Sequence, residues 1–266
     1  MIIDVNAHIG HYPFRRLKYK TAADLIGLMD RYGIDKCCVA SLSAAYYKDC
    51  MEGNLELLDE IAPHRERLIP FCVVNPEYNK AQDDFRKCVG ELGFKGLRLF
   101  PKQQGYRLDG ELSAKMLRIA GEMGIPAHIP LLLDDLRGHH PLDINAPVDA
   151  AEIGRAAASA PDTDIILSNE YLNQYAREIE PTIKGRAGKG NVYYDIGRVD
   201  CLCLTMLPEL AEAAGYERLV FGTGATLQNI PVQFVKLHYM GATMGTTPEQ
   251  AEQIKSGNLA RLLNIQ

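Results

Sequence analysis

Met1-Ile2-Ile3-Asp4-Val5-Asn6-Ala7-His8-Ile9 opens the chain and sets how the rest is read. It has the strict alternation of a β-strand. Ile3, Val5, Ala7 and Ile9 point one way, and Asp4, Asn6 and His8 the other. Two settings produce that pattern. One is a surface strand with a solvated polar face. The other is a barrel strand, with apolar residues under a helix and polar residues converging on an axis. In the barrel, Asn6 and His8 stand one above the other at the strand's carboxyl end.

The residues that follow decide for the barrel. Thr21 to Met29 has helical period and is stopped by Gly33, and Thr21 with Asp24 resembles a capping box. Strands are expected at Lys36–Leu42, Arg67–Val74, Phe94–Phe100, Ile125–Leu131, Asp164–Asn169, Asn191–Gly197 and Arg218–Gly222. Helices are expected between them, at Asn54–His64, Lys80–Leu92, Gly110–Met123, Val148–Ala160, Tyr171–Ile183 and Leu202–Ala214. Two more, near Val232–Met240 and Pro248–Leu263, close the chain. Eight strands alternating with helices imply a parallel sheet, and the expectation is one α/β domain over residues 1–266, a (β/α)8 barrel of the TIM type. A doubly wound open sheet is the alternative. It would carry a glycine-rich phosphate turn after an early strand, and Ile9-Gly10-His11-Tyr12 is not one. The longest expected loop, Leu132 to Pro147, follows the fifth strand and is a candidate lid.

Bulk composition agrees. The 266 residues lie near the ~250 of a typical (β/α)8 barrel. Net charge is -5, with no basic stripe, so nucleic acid and anionic membranes are not expected partners. No apolar run approaches the ~20 residues of a membrane span, and no basic-then-apolar leader is seen. Seven scattered cysteines in a chain of this size suggest reduced thiols and a cytoplasmic protein. Cys37 and Cys38 are adjacent on a strand and face opposite ways. Cys201 and Cys203 lack a second pair at zinc-site spacing.

The motifs now carry a resemblance. Ile3-Asp4-Val5-Asn6-Ala7-His8 resembles the D-x-H-x-H opening of the amidohydrolase superfamily, in its amidohydrolase-related branch. That branch holds metal-dependent hydrolases, decarboxylases and lactonases. Phe94-Lys95-Gly96-Leu97-Arg98-Leu99 resembles its fourth strand, and Gly124-Ile125-Pro126-Ala127-His128 its fifth. Asp164 to Asn169 sits where the branch writes a strand ending in His, and Asn191 to Asp195 matches its seventh strand. Arg218 to Gly224 sits where it writes G-S/T-D, and Gly257-Asn258-Leu259-Ala260-Arg261-Leu262-Leu263 matches its closing motif. The order and spacing of these pieces span the whole chain.

The resemblance implies a divalent metal held by both histidines of the first strand, the histidine of the fifth and the aspartate of the eighth, with a catalytic histidine on the sixth. This chain has Asn6 and His8, then His128, then Asn169 on the sixth strand and Gly224 on the eighth. His8 and His128 are left as an incomplete metal pair without an anion, where zinc wants about four ligands. The aspartate that would take a proton from metal-bound water is also gone. Yet the replacements are polar. A dry core does not keep Asn6, His8, Arg98, His128, Asn169 and Asp195 without partners.

The expected function is therefore hydrolysis or decarboxylation of a small polar or carboxylate-bearing molecule, without a tightly bound metal. His8 and His128 are the candidate acid or base. Asn6, Arg98, Asn169, Asp195 and Arg198 are the candidate substrate-binding residues, the two arginines offering charge to a carboxylate. One alternative is a ligand-binding barrel that has lost its chemistry. Another is a conventional divalent-metal (zinc) hydrolase that recruits His11, His139 or Asp195 as a substitute ligand. Glu170 is expected to point away from the axis, and His139-His140 to lie in solvent. No Ser or Cys sits in a nucleophile elbow. Homo-oligomerisation is left open.

Overall fold

In the computed structural model, residues 1–135, 137–185, 187–198 and 205–265 are described. Eight parallel strands form one sheet in chain order: β1 Ile3–Ile9, β2 Lys36–Ser41, β3 Leu68–Val73, β4 Gly96–Arg98, β5 Ala127–Pro130, β6 Ile165–Ser168, β7 Val192–Asp195 and β8 Leu219–Val220. The segment after β8 returns to β1: the Val5 amide donates to the Phe221 carbonyl at 2.9 Å and the His8 amide to Ala225 at 2.5 Å. Helices alternate with the strands, so the expected (β/α)8 barrel is the fold. Among the described residues no helix is long and apolar enough to cross a membrane.

Two apolar clusters follow from strand parity. Ala7, Val39, Leu97, Ile129, Leu167 and Tyr194 pack between barrel and helices. Val5, Ala40, Phe71, Val73, Ile166 and Val220 fill the barrel itself. Cys37 falls in the first cluster and Cys38 in the second, opposite faces as expected. Gly96 is required for this filling, because a Cβ there would lie 2.3 Å from the Phe71 ring.

β1 departs from strict alternation. Its pairing with β2 slips between Asp4 and Ala7, which inserts a bulge. Ile3 and Val5 consequently join the barrel interior, while Ala7 and Ile9 join the outer layer. Asn6 and His8 still turn to the axis. Asp4 holds the bulge: its Oδ1 accepts the amides of Asn6 at 2.8 Å and Thr223 at 2.9 Å, and its Oδ2 accepts the Thr223 hydroxyl at 2.5 Å.

The helix Ala22–Tyr32 has the expected Thr21–Asp24 capping box, and Gly33 ends it in the left-handed region. Other boundaries moved. β2 stops at Ser41, whose hydroxyl caps a short helix over Leu42–Tyr46. β4 stops at Arg98, and Pro101–Gln104 forms a helical turn. The helix expected at Asn54 begins at Cys50, behind the N-cap Asp49. The closing helix divides into Pro248–Glu252, a π-turn at Gln253–Gly257, and Asn258–Leu263. The Asn258 amide ties that last piece to the carbonyls of Tyr216 and Leu219, both at 2.8 Å. Cys201, Cys203 and the start of the helix expected from Leu202 lie outside the described residues. The observed helix there is Met206–Ala214.

Candidate functional site

Asn6, His8, Arg98, His128, Asn169 and Asp195 come from four strands, β1, β4, β5 and β7, and from the residue just past β6, and meet at one end of the axis. None is more than 3 % exposed. Arg98 and His128 are register partners on β4 and β5. The Arg98 Nη1 lies 3.0 Å from His8 Nε2 and donates to Asn6 Oδ1 at 3.2 Å. Its Nη2 donates to the Val5 carbonyl in the bulge at 3.3 Å, and the guanidinium lies 5.9 Å from the centre of the Phe71 ring. The Asn6 amide donates to Asn169 Oδ1 at 2.9 Å and to Asp195 Oδ2 at 3.2 Å. Asp195 Oδ1 accepts the Gly197 amide at 2.7 Å.

β6 contributes two residues rather than one. Ser168 shares a 2.7 Å hydrogen bond with His128 Nε2. Asn169 reaches the axis because its φ of 69° turns it back toward the strand end. Sequence parity selects one of two neighbours for the interior, so Ser168 was missed. Lys236 was missed too. From the helix Ile230–Met244 it donates to the carbonyls of Ile196 and Gly197, clamping the turn just after Asp195. Of the Arg198 side chain, nothing lies within the described residues.

Burial decides the charges. Desolvation pushes the Asp195 carboxyl up to about 7, against the Gly197 hydrogen bond, and the Asp4 carboxyl up to about 6, against its bonds from Thr223. Burial, and then the charge of Arg98, hold His8 and His128 well below the ordinary imidazole range, so both rings are neutral. Burial lowers Arg98 to about 10, which leaves it charged at neutral pH. Among the described residues, three polar atoms of this set have no partner in hydrogen-bonding geometry: His8 Nδ1, His128 Nδ1 and Arg98 Nε. No carboxylate lies within ion-pair distance of Arg98 among the described residues.

The mouth is laced shut by loops. Tyr12 donates to Asp143 at 2.7 Å and Tyr46 to the same carboxylate at 3.4 Å. Arg15 makes a two-point contact with Asp134, at 3.1 and 3.2 Å, and donates to the Leu227 carbonyl at 3.0 Å. The loop after β5 thus closes onto the loop after β1 and the short helix after β2, and Arg15 ties the β1 loop to the segment after β8; Leu136 lies outside the described residues. His140 is exposed as expected, stacked on Phe14 at 5.7 Å. His11 is exposed. A cavity of about 510 Å³, lined by Gly10–Leu17 and Lys20, opens beside this clasp.

Gly224 has a φ of 68°, and a Cβ there would sit 2.8 Å from Gln228 Cγ. Among the described residues, no three His, Cys, Asp or Glu side chains are grouped so as to hold a metal ion.

Residues 43–168 match the family model described as amidohydrolase, so the resemblance carried by the motifs is met across the middle of the chain. A comparison with curated proteins finds no match. Among solved structures, 2,6-dihydroxybenzoate decarboxylase from Rhizobium is similar, with TM-score 0.74 and 17 % identity over 99 % of this chain and 98 % of that one. A dihydroxybenzoic acid decarboxylase from Polaromonas sp., with bound manganese and the inhibitor 2-nitroresorcinol, has TM-score 0.73 and 16 % identity over 99 % and 96 %. A protein described as a "probable 2-pyrone-4,6-dicarboxylic acid hydrolase" from Acinetobacter baumannii, with citric acid bound, has TM-score 0.66 and 11 % identity over 99 % of both chains. At these identities the likeness is one of fold.

Proposed function

We propose that this amidohydrolase-like barrel acts on a small carboxylate-bearing molecule, by decarboxylation or hydrolysis, without a tightly held metal. One observation carries the reading: Arg98 is fully buried, charged, lacks a carboxylate partner among the described residues, and keeps an unpartnered Nε–H. A desolvated cation costs several kcal/mol unless an anion and hydrogen bonds offset it. A substrate carboxylate supplies both. The hydroxybenzoate decarboxylases and the pyrone-dicarboxylate hydrolase among the similar folds suggest ring carboxylates as the class to test.

The residues divide the work. Arg98 anchors the carboxylate, and Asn6 and Asn169 line the site. His8 and His128 are neutral: with its Nε2 lone pair facing Arg98, His8 offers substrate an N–H at Nδ1, and the Nδ1 of His128, without a partner among the described residues, is left to orient substrate or accept a proton. Asp195, at about 7, is partly protonated at neutral pH and serves as proton reservoir. Decarboxylation asks the least of this set. The C–C bond breaks, CO2 leaves, the electron pair stays on carbon, and one proton is delivered there. Hydrolysis needs an activated water, and Gly224 offers no base where the family resemblance places one.

The test is CO2 release and calorimetric binding over a panel of hydroxybenzoates and pyrone carboxylates. Arg98→Gln should weaken binding of any active carboxylate by about 100-fold, the loss of a buried charge-assisted pair being worth ~2–3 kcal/mol. Unchanged binding in that variant would sink the reading. The mutually bonded Asn6, Asn169 and Asp195 favour a second reading, a binding barrel without chemistry. Arg98-dependent binding with no turnover would select it.

A further inference from the structure

We infer that Arg98 stands where a metal dication would have to sit, and that this built-in guanidinium, beyond the missing ligands, keeps divalent metal out of the barrel. The inference rests on the metal-free reading of the site but not on the reaction proposed for it.

The argument is one of atoms already engaged. A guanidinium only donates, so at 3.0 Å His8 Nε2 must be the acceptor, and the ring proton sits on Nδ1. That assignment places an N–H on the His8 Nδ1, one of the buried atoms without a partner among the described residues. The Nε2 lone pair is the one a metal would use from the same side, and it points at Arg98. Asn6 Oδ1 is held by the same Nη1. His128 Nε2 is engaged by Ser168, and Asp195 accepts from both Asn6 and Gly197. Gly224 cannot become an aspartate without left-handed backbone strain and displacement of Gln228.

Arg98 is also fixed in place. The Val5 carbonyl at the β1 bulge holds its second nitrogen, and the Phe71 ring packs against the guanidinium. A dication bound to His8 Nε2 would have to displace that N–H and sit beside an unscreened like charge. The residues present therefore do not fit a resident metal, and restoring one lost ligand leaves the obstacle untouched.

Zinc is the probe. Zinc content after dialysis and zinc calorimetry are measured on wild type, Asn6→His, Arg98→Leu and the double variant Asn6→His/Arg98→Leu. Wild type and Asn6→His should keep less than about a tenth of an equivalent. The double variant should retain about one equivalent and bind zinc at least about 100-fold more tightly than Asn6→His, the upper end of what supporting groups alone are worth. An equivalent retained by Asn6→His alone, or a double variant no tighter than it, overturns the inference while the metal-free reading stands. An equivalent retained by wild type overturns the metal-free reading itself. Imidazole 15N spectra of the wild type decide the matter if the double variant does not fold. They should show His8 with Nε2 unprotonated and Nδ1 protonated. A proton on Nε2 would mean that Arg98 is not bonded there, and the inference falls.

Discussion

A carboxyl held near 7 changes both chemistry and stability. Asp195 titrates near 3.8 when unfolded and at about 7 in the barrel, and Asp4 at about 6. The folded protein therefore keeps protons that the unfolded chain releases between those values. Each group stabilises the fold fully below pH 3.8, and that contribution is lost as pH rises through its folded value. Stability should accordingly fall from pH 5.5 to pH 8, by up to about 1.4 kcal/mol per pH unit for a fully titrating group. Urea unfolding across that window should show the fall, and Asp195→Asn should flatten it. An Asp195→Asn slope equal to the wild-type slope would mean that Asp195 is ionised throughout. At this scale the sequence named Asn6, His8, Arg98, His128, Asn169 and Asp195, because polar residues at the ends of apolar strands stand out. It missed Ser168, since a strand end offers two adjacent candidates and the backbone turn at Asn169 brings both inside.

The β1 bulge is the element on which the site depends. Without the extra residue, Val5 and Asn6 could not both serve the interior, because successive side chains on a strand alternate. Asp4 pins the bulge from the outer side, through two backbone amides and the Thr223 hydroxyl. Asp4→Ala leaves those buried donors without an acceptor, at a cost of ~1–3 kcal/mol per group. It should lower the unfolding midpoint and also weaken carboxylate binding, because Asn6 and the Val5 carbonyl lose their places against Arg98. Loss of stability with binding intact would show that the bulge survives without its clamp. The alternation in residues 1–9 predicted a regular strand. The carboxylate of Asp4 competes for the Asn6 amide, an interaction that hydrophobic period does not register.

At the scale of the molecule, a site with all its members buried must open to take substrate. The clasp formed by Tyr12, Arg15 and Tyr46 with Asp134 and Asp143 joins segments that follow β1, β2 and β5, and its opening is the route to test. Removing it should expose the mouth without harming the barrel, whose apolar layers lie beneath. Asp143→Asn with Asp134→Ala should raise amide hydrogen exchange in residues 132–147 and speed carboxylate association. Exchange elsewhere should change little. Unchanged exchange in that loop would show that access runs by another route. The sequence marked this loop as a candidate lid by its length, but not its partners. Those lie about 120 residues away in the chain, and no local pattern pairs Arg15 with Asp134 or Tyr12 with Asp143.

Order along the chain was enough to determine the barrel, because β-α alternation, glycine stops and apolar strands are local signals, and right-handed crossovers leave few ways to assemble them. It was also enough to show that His8 and His128 stand without the aspartate the family resemblance calls for. Only the tertiary structure decided what fills that gap. Arg98 lies 90 residues from His8, and whether its side chain reaches across the axis depends on the bulge carbonyl, the Phe71 ring and the space left by Gly96. Each of those is set by packing between strands distant in sequence, which is why the sequence could name Arg98 for the site but could not seat its guanidinium beside His8.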